Sequence, residues 1–382
     1  MWKCEESKAA GKLYLTKQDF YIKIKMHGES ERYDCGATNC DSTAVTNSKG
    51  GYFMKEVNVA FSQVTDIIEA AKNSAYKKVN EELINMYWKI GGFLSKEAEN
   101  ATFGDAYIDS ISEYIQEKFP GIKGFNRRGL YRMKKFYETY ADDEFVTALL
   151  SQISWTNHLA IMSKAKTVEE RHFYITLCIK EGYSSRELER QIESAYYERY
   201  MLSEEKVLPE PIKGLKENPF MDMYVVEFLN MPKVYKEQDF RKALIKNMRD
   251  FILELGRDFT FIDEEYKVQV GGEDFAIDML FFHRELQCLV AFELKIGKFK
   301  PEYISKMDFY LEALDRQKKK EHENPSVGLI LCASKNDEVV EYAMSRSMSP
   351  MLVSEYKLKL PDKKILERKL QELVNIPQIE KE

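Results

Sequence analysis

The sequence predicts a multidomain protein in which an all-α domain precedes an α/β domain with a mixed central sheet. Three observations predict it. From Phe61 to about Met201 apolar residues recur at three- and four-residue intervals, the helical period. Between Leu202 and Pro232 the chain collects Pro209, Pro211, Gly214, Pro219 and Pro232, which resist one continuous helix. From Asp239 onward, strand-sized apolar runs alternate with helical patterns, as expected for a sheet flanked by helices. The 382 residues leave room for two or three domains of roughly 150 residues each.

The expected boundaries are an N-terminal extension at 1–53, a helical domain at 54–205, a connecting segment at 206–235 and the α/β domain at 236–382. The extension has a β-leaning patch at 20–25 and then a polar stretch rich in Ser, Thr, Asn and Gly. Cys4, His27, Cys35 and Cys40 could gather around zinc, but Cys-x4-Cys lacks a second pair, so free thiols are expected.

In the helical domain, Ile67, Ile68, Ala71, Ala75 and Val79 lead into Leu83, Ile84, Tyr87, Trp88 and Ile90, and Gly91-Gly92 marks a break or a close packing point. A helix at 111–119, a turn at 120–124 and a helix opened by Asn126 and running to about Tyr140 outline a helix-turn-helix. Ser184 and Glu187 have capping-box spacing ahead of a helix at 187–200. In the α/β domain, an amphipathic helix at 239–255 precedes strands near 266–270, 275–282, 288–293, 327–332 and 351–353. Helices are expected at 301–314, 337–344 and 362–374.

Fifty-seven basic against 63 acidic residues give a net charge of −6, which argues against bulk electrostatic coating of nucleic acid but not against a local basic groove. No apolar run reaches the roughly 18 residues of a membrane span. The start lacks a secretory core and the six cysteines are scattered, so a cytoplasmic protein without membrane partners is expected. No phosphate-binding Gly-Lys-Ser loop or dinucleotide-binding glycine pattern is present, so nothing points to ATP hydrolysis or NAD binding.

The chemistry concentrates in two apolar strands that contain acids. An ionised carboxylate there costs several kcal/mol, of order 3 or more, unless a cation or hydrogen bonds compensate it. Asp278 and Glu293 therefore need an explanation. Alternation puts Glu293 and Lys295 on one face, and a short connection makes the two strands antiparallel neighbours, with Asp278 beside Glu293. Two carboxylates and an ammonium suit Mg²⁺, with Mn²⁺ as the alternative, and metal-assisted phosphodiester hydrolysis. Lys295 would orient or deprotonate the attacking water, and Glu254, on the preceding helix, could complete the metal shell. A structural salt bridge is the competing reading, because such spacing arises easily in a chain that is 31% charged.

From Gly121 to Tyr137 there is no acid, while Arg127, Arg128, Arg132 and Lys135 stand among aromatics. Arg128, Arg132 and Lys135 share one helical face, suited to phosphates or simply to solvent. Lys298 and Lys300 form a second cluster near the proposed metal, and the run at 316–320 reads as solvated. His158, His172 and His283 read as core, capping or strand-end residues.

A helix ending Leu-Glu-Leu-Gly, a strand with Ile-Asp and a strand ending Glu-Leu-Lys resemble the PD-(D/E)XK, or restriction-endonuclease-like, nuclease superfamily. More closely, the stretches 277–284, 286–303 and 307–311 resemble bacterial YhcG-type proteins, as do 124–137, 152–158 and 183–188 in the N-terminal half; the likeness runs from about Met54 to Val374. The resemblance implies a helical N-terminal DNA-binding domain and a C-terminal restriction-endonuclease-like domain. It assigns Asp278 and Glu293 to the metal and Lys295 to catalysis, and matches Glu254 to the helical acid of some superfamily members. Lys306 stands where the family pattern has Gln, and Tyr310, one turn on, shares its face; both are candidate substrate contacts. The expectation is a Mg²⁺-dependent endonuclease on DNA, with a homo-oligomer compatible. The rivals are a DNA-binding or assembly protein with a weak or inactive nuclease fold, and an RNA-processing or Holliday-junction nuclease.

Overall fold

Hydrophobic periodicity and capping chemistry account for most of the elements in a computed structural model, which describes residues 49–100, 104–204 and 219–374. The chain divides into residues 1–66 and 67–382. In the first unit the described part, from Lys49, is helical. The patch at 20–25 and the Cys4, His27, Cys35 and Cys40 group lie outside the described residues, as does the connecting stretch 205–218.

The helical region comprises α1 (Lys49–Asn100), α2 (Gly104–Lys118), α3 (Arg127–Tyr140), α4 (Glu144–Thr147), α5 (Trp155–Lys164), α6 (Val168–Glu181), α7 (Ser185–Glu193) and α8 (Tyr196–Glu204). Gly91-Gly92 does not break α1. A Cβ on Gly91 would fall 2.2 Å from the Met133 carbonyl oxygen, and one on Gly92 would fall 2.9 Å from the Tyr137 ring, so the pair lets α1 and α3 touch closely. Asn126 caps α3 by accepting from the Gly129 N–H at 2.9 Å. Residues 119–126 join α2 to α3, a longer connection than the 3–4-residue turn of a helix-turn-helix. Ser184 and Glu187 form the capping box of α7. The helix expected through 200 is interrupted at Ala195, whose φ of 55° lies in the left-handed region.

The remaining elements are β1 (Met223–Val225), α9 (Glu237–Lys246), α10 (Met248–Leu255), β2 (Phe259–Val270), β3 (Glu273–His283), β4 (Cys288–Lys298), α11 (Glu302–Gln317), β5 (Val327–Ser334), α12 (Asp337–Met344), β6 (Met351–Lys357) and α13 (Lys363–Val374). They build one six-stranded sheet of order β1-β6-β5-β4-β3-β2. β2, β3 and β4 pair antiparallel, and β4, β5, β6 and β1 pair parallel, so the sheet is mixed. β1 falls in the stretch expected to be a linker: Met223–Val225 extend the sheet by pairing with β6, and Phe220, Met221, Tyr224, Val225 and Val226 are buried. The amphipathic helix expected at 239–255 is two helices that meet at Asn247.

A core on one face of the sheet holds Phe251, Phe281, Phe292 and Leu294 and continues into Tyr174, Leu188 and Tyr196 of the helical region. The opposite face packs Ile277, Leu280, Leu289 and Ala291 against Met307, Tyr310 and Leu311 of α11. No described helix is long and apolar enough to cross a membrane.

Candidate active site

The site lies where β3 and β4 diverge. Their register runs from His283↔Cys288 to Met279↔Phe292, which sets Asp278 opposite Glu293 just past the last backbone pair. There the Asp278 side chain replaces the ladder: its Oδ2 accepts the Leu294 N–H at 2.8 Å. Because Phe292 and Leu294 point into one core, Glu293 between them turns to the other face, toward α11.

Glu293 is only 1% exposed. Its Oε1 receives the ammonium groups of Lys295 at 2.7 Å and Lys306 at 2.5 Å. Its Oε2 is buried and, among the described residues, has no hydrogen-bond partner. Lys295 uses its three donors on Glu293, on Glu237 Oε1 at 3.1 Å and on the Leu294 carbonyl at 2.9 Å. Burial disfavours its charge, but hydrogen bonding and attraction from Glu293 and then Glu237 outweigh that and raise its pKa. The same competition between burial and Glu293 pushes Lys306 up to about 12.

Two residues that sequence reasoning missed position this group. Glu237 and Arg241 lie one turn apart on α9. Glu237 holds Lys295, while Arg241 donates to Asp278 Oδ1 at 3.1 Å and to Glu265 Oε1 at 2.6 Å. In the sequence they read as an ordinary i, i+4 surface pair; only strand pairing brings Asp278 and Lys295 beneath them.

Glu254 is not part of the group, and its expected metal role is corrected here. It is fully buried, with Oε2 on Arg190 at 2.9 Å and Oε1 on Arg199 at 2.7 Å and on the Val225 N–H at 2.7 Å. Two guanidinium groups from α7 and α8 compensate its charge in place of a metal. Tyr310 is buried too, and its hydroxyl donates to the Ala276 carbonyl at 2.7 Å, so it braces β3 beside Asp278. Burial raises its pKa against the opposing pull of the Lys306 ammonium, and the Glu293 and Asp278 charges contribute in the raising direction.

Lys298, at the end of the Glu293 strand, and Lys300, just beyond it, are exposed, and Lys300 pairs with Glu302 at 3.5 Å. On α3, Arg127 pairs with Asp109 at 3.0 Å and lies over Tyr131. Arg128, Arg132 and Lys135 instead line one open cleft of about 550 Å³ with Thr156 and Ser163 of α5 and Ser185 and Glu189 of α7. All three are exposed. The three histidines are structural: His158 Nε2 contacts the Leu150 carbonyl, His172 contacts Asp143, and His283 Nδ1 accepts the Leu286 N–H.

No group of three or more His, Cys, Asp or Glu with the placement of a metal cage occurs among the described residues. A divalent ion here would rest on Asp278 and Glu293, supplemented by water and substrate oxygens, as is usual for Mg²⁺. The buried, unpartnered Glu293 Oε2 fits that role, as do hard carboxylate donors on adjoining strands.

A mixed sheet carrying Asp on one strand and Glu-x-Lys on the next is the arrangement of a PD-(D/E)XK nuclease domain. Residues 217–372 match the YhcG PDDEXK nuclease domain, and residues 63–199 match the DUF1016 N-terminal domain. The chain is 30% identical over 342 residues to "Putative nuclease YhcG" of Escherichia coli strain K12, covering 79% of this chain and 90% of that protein. It belongs to the YhcG family of PDDEXK-type nucleases. Solved structures with similarity include a repair endonuclease from Pyrococcus abyssi, with TM-score 0.23 and 17% identity, covering 34% of this chain and 50% of that one. Another is EndoMS in a complex with double-stranded DNA, with TM-score 0.23 and 16% identity, covering 35% and 48%. The likeness spans about half the length of those solved chains.

Proposed function

We propose that the chain is a divalent-metal-dependent endonuclease acting on DNA, in which Asp278 and Glu293 hold Mg²⁺ or Mn²⁺. The observation that carries this reading is the pairing of two carboxylates across diverging strands, one of them buried with an oxygen left open. When bound, the ion supplies Lewis-acid activation of water and offsets charge on the phosphoryl oxygens. Lys295, held between Glu293 and Glu237, is placed to stabilise developing negative charge and to orient the attacking group. Arg241 fixes the rotamer of Asp278, and the Leu294 N–H fixes its second oxygen.

In this reading the helical domain holds the nucleic acid. Arg128, Arg132 and Lys135 meet phosphates at the cleft, with the Thr156 and Ser185 hydroxyls beside them. Lys298, Lys300 and Lys306 extend the positive surface next to the carboxylates. The test incubates the purified full chain with duplex, single-stranded and branched DNA and with RNA, in Mg²⁺ or EDTA. Mg²⁺-dependent internal cleavage of DNA supports the proposal. Cleavage of RNA alone, or binding to DNA without cleavage under any condition, overturns it.

A further inference from the structure

Glu293 offers two oxygens, and the chain treats them differently. Oε1 receives two ammonium groups, from Lys295 and Lys306. A carboxylate oxygen has about two lone-pair sites, so Oε1 is filled by this chain's own cations. Oε2 is buried and, among the described residues, has no partner. A pair of metal ions about 3.5–4 Å apart acts as a joint clamp on the attacking and leaving oxygens. A carboxylate that bridges such a pair gives one oxygen to each ion, and here only one oxygen of Glu293 is open.

The charge balance points the same way. Three cationic side chains, Arg241, Lys295 and Lys306, bond directly to the two carboxylates Asp278 and Glu293. Glu237 and Glu265 supply further negative charge only through Lys295 and Arg241. With Glu237 and Glu265 counted, four carboxylates face three cations, a net charge of −1; one divalent ion brings it to +1, whereas a second would bring it to +3 and face the Lys306 ammonium at short range. Lys306 also presents part of its side chain to solvent. It extends from α11, its side chain is 45% exposed, and its ammonium lies 5.3 Å from the centre of the Tyr310 ring.

We infer that Lys306 occupies the place through which a second ion would reach Glu293, so that this nuclease centre takes one divalent ion and uses the Lys306 ammonium as its second positive charge. The inference rests on the metal-dependent reading above and makes Lys306 a positioning residue for the ion. The experiment counts Mn²⁺ bound per full-length chain by electron paramagnetic resonance of the free ion, with calorimetry for affinity. It uses wild type, Lys306→Gln and Lys306→Met, each checked for native circular dichroism, and Asp278→Ala as the control.

The expected result is one Mn²⁺ per wild-type chain, none in the control, and in both Lys306 variants either a second Mn²⁺ or at least a fivefold tighter first one. Two ions in wild type overturn the inference while leaving the metal-dependent reading intact. One ion in every Lys306 form at unchanged affinity does the same. No ion in wild type overturns both.

Discussion

Arg199 and Glu254 form a fully buried ion pair, with Nη1 2.7 Å from Oε1, that joins α8 of the helical region to α10 beneath the sheet. Arg190 completes the cluster by bonding both Glu254 and Glu227, and its pKa is raised because, against the cost of burial, both acids favour its charge. The two regions are thereby tied together as well as sharing a core. Removing one partner of a buried pair strands the other and costs about 3–5 kcal/mol. Glu254→Ala is therefore expected to lower the unfolding free energy by that order, and the urea midpoint with it. Under conditions where the variant remains folded, it should cleave substrate at a rate within a few-fold of wild type. Chemical denaturation and a cleavage assay check the two halves separately.

Lys295→Met removes an ammonium held by Glu293, Glu237 and the Leu294 carbonyl. Loss of one preorganised charge at a reacting phosphate slows the chemical step by about 10²–10³-fold. Single-turnover cleavage should fall by that factor, while equilibrium DNA binding should change by no more than a few-fold. A matching fall in both would assign Lys295 to binding instead.

The cleft on α3 yields a salt-dependence prediction. Each phosphate contact contributes about −0.9 to the slope of log K against log salt for duplex DNA. Arg128→Ala with Arg132→Ala should therefore weaken binding at low salt and flatten the slope by about 2. Fluorescence anisotropy at several salt concentrations measures it, and an unchanged slope would show that this face does not meet the backbone.

Acid stability should depend on two buried histidines. Burial lowers both His158 and His283 from 6.5 to about 4. Both are thus held neutral in the fold and protonate more readily once unfolded, so their contribution is complete above about pH 6.5. It is lost as pH falls through the window from 6.5 to 4, by at most about 3 kcal/mol each. Thermal melts across pH 4–7 should show this loss, and His158→Gln or His283→Gln should flatten the acid slope.

Much of the architecture was legible because hydrophobic period and capping residues act locally. The Asn126 cap, the Ser184–Glu187 box and the helix Asp337–Met344 stand where expected. Strand ends exceed the sequence expectation: β4 runs on through Lys295–Lys298, where a single apolar residue, Ile296, stands among Lys and Gly and the apolar run has already ended. β1 was missed because three residues between prolines have no periodicity of their own and gain strand identity only from pairing with β6. In the candidate site, two acids in apolar strands stood out by themselves. Glu254 carries a similar signal without sharing the site, because its compensating Arg190 and Arg199 lie 64 and 55 residues earlier in the chain. Arg241 was invisible because nothing local links it to Asp278, 37 residues on.

The most direct test of the central claim is the cleavage of supercoiled plasmid DNA by the full chain, with Mg²⁺ or with EDTA, beside Asp278→Asn. That variant keeps the shape of the side chain and removes the charge proposed to hold the ion. Wild type should convert supercoiled plasmid to nicked and linear forms only with Mg²⁺, and the variant should be at least about 100-fold slower. Equal cleavage by both proteins, or cleavage by wild type that persists in EDTA, would contradict the account.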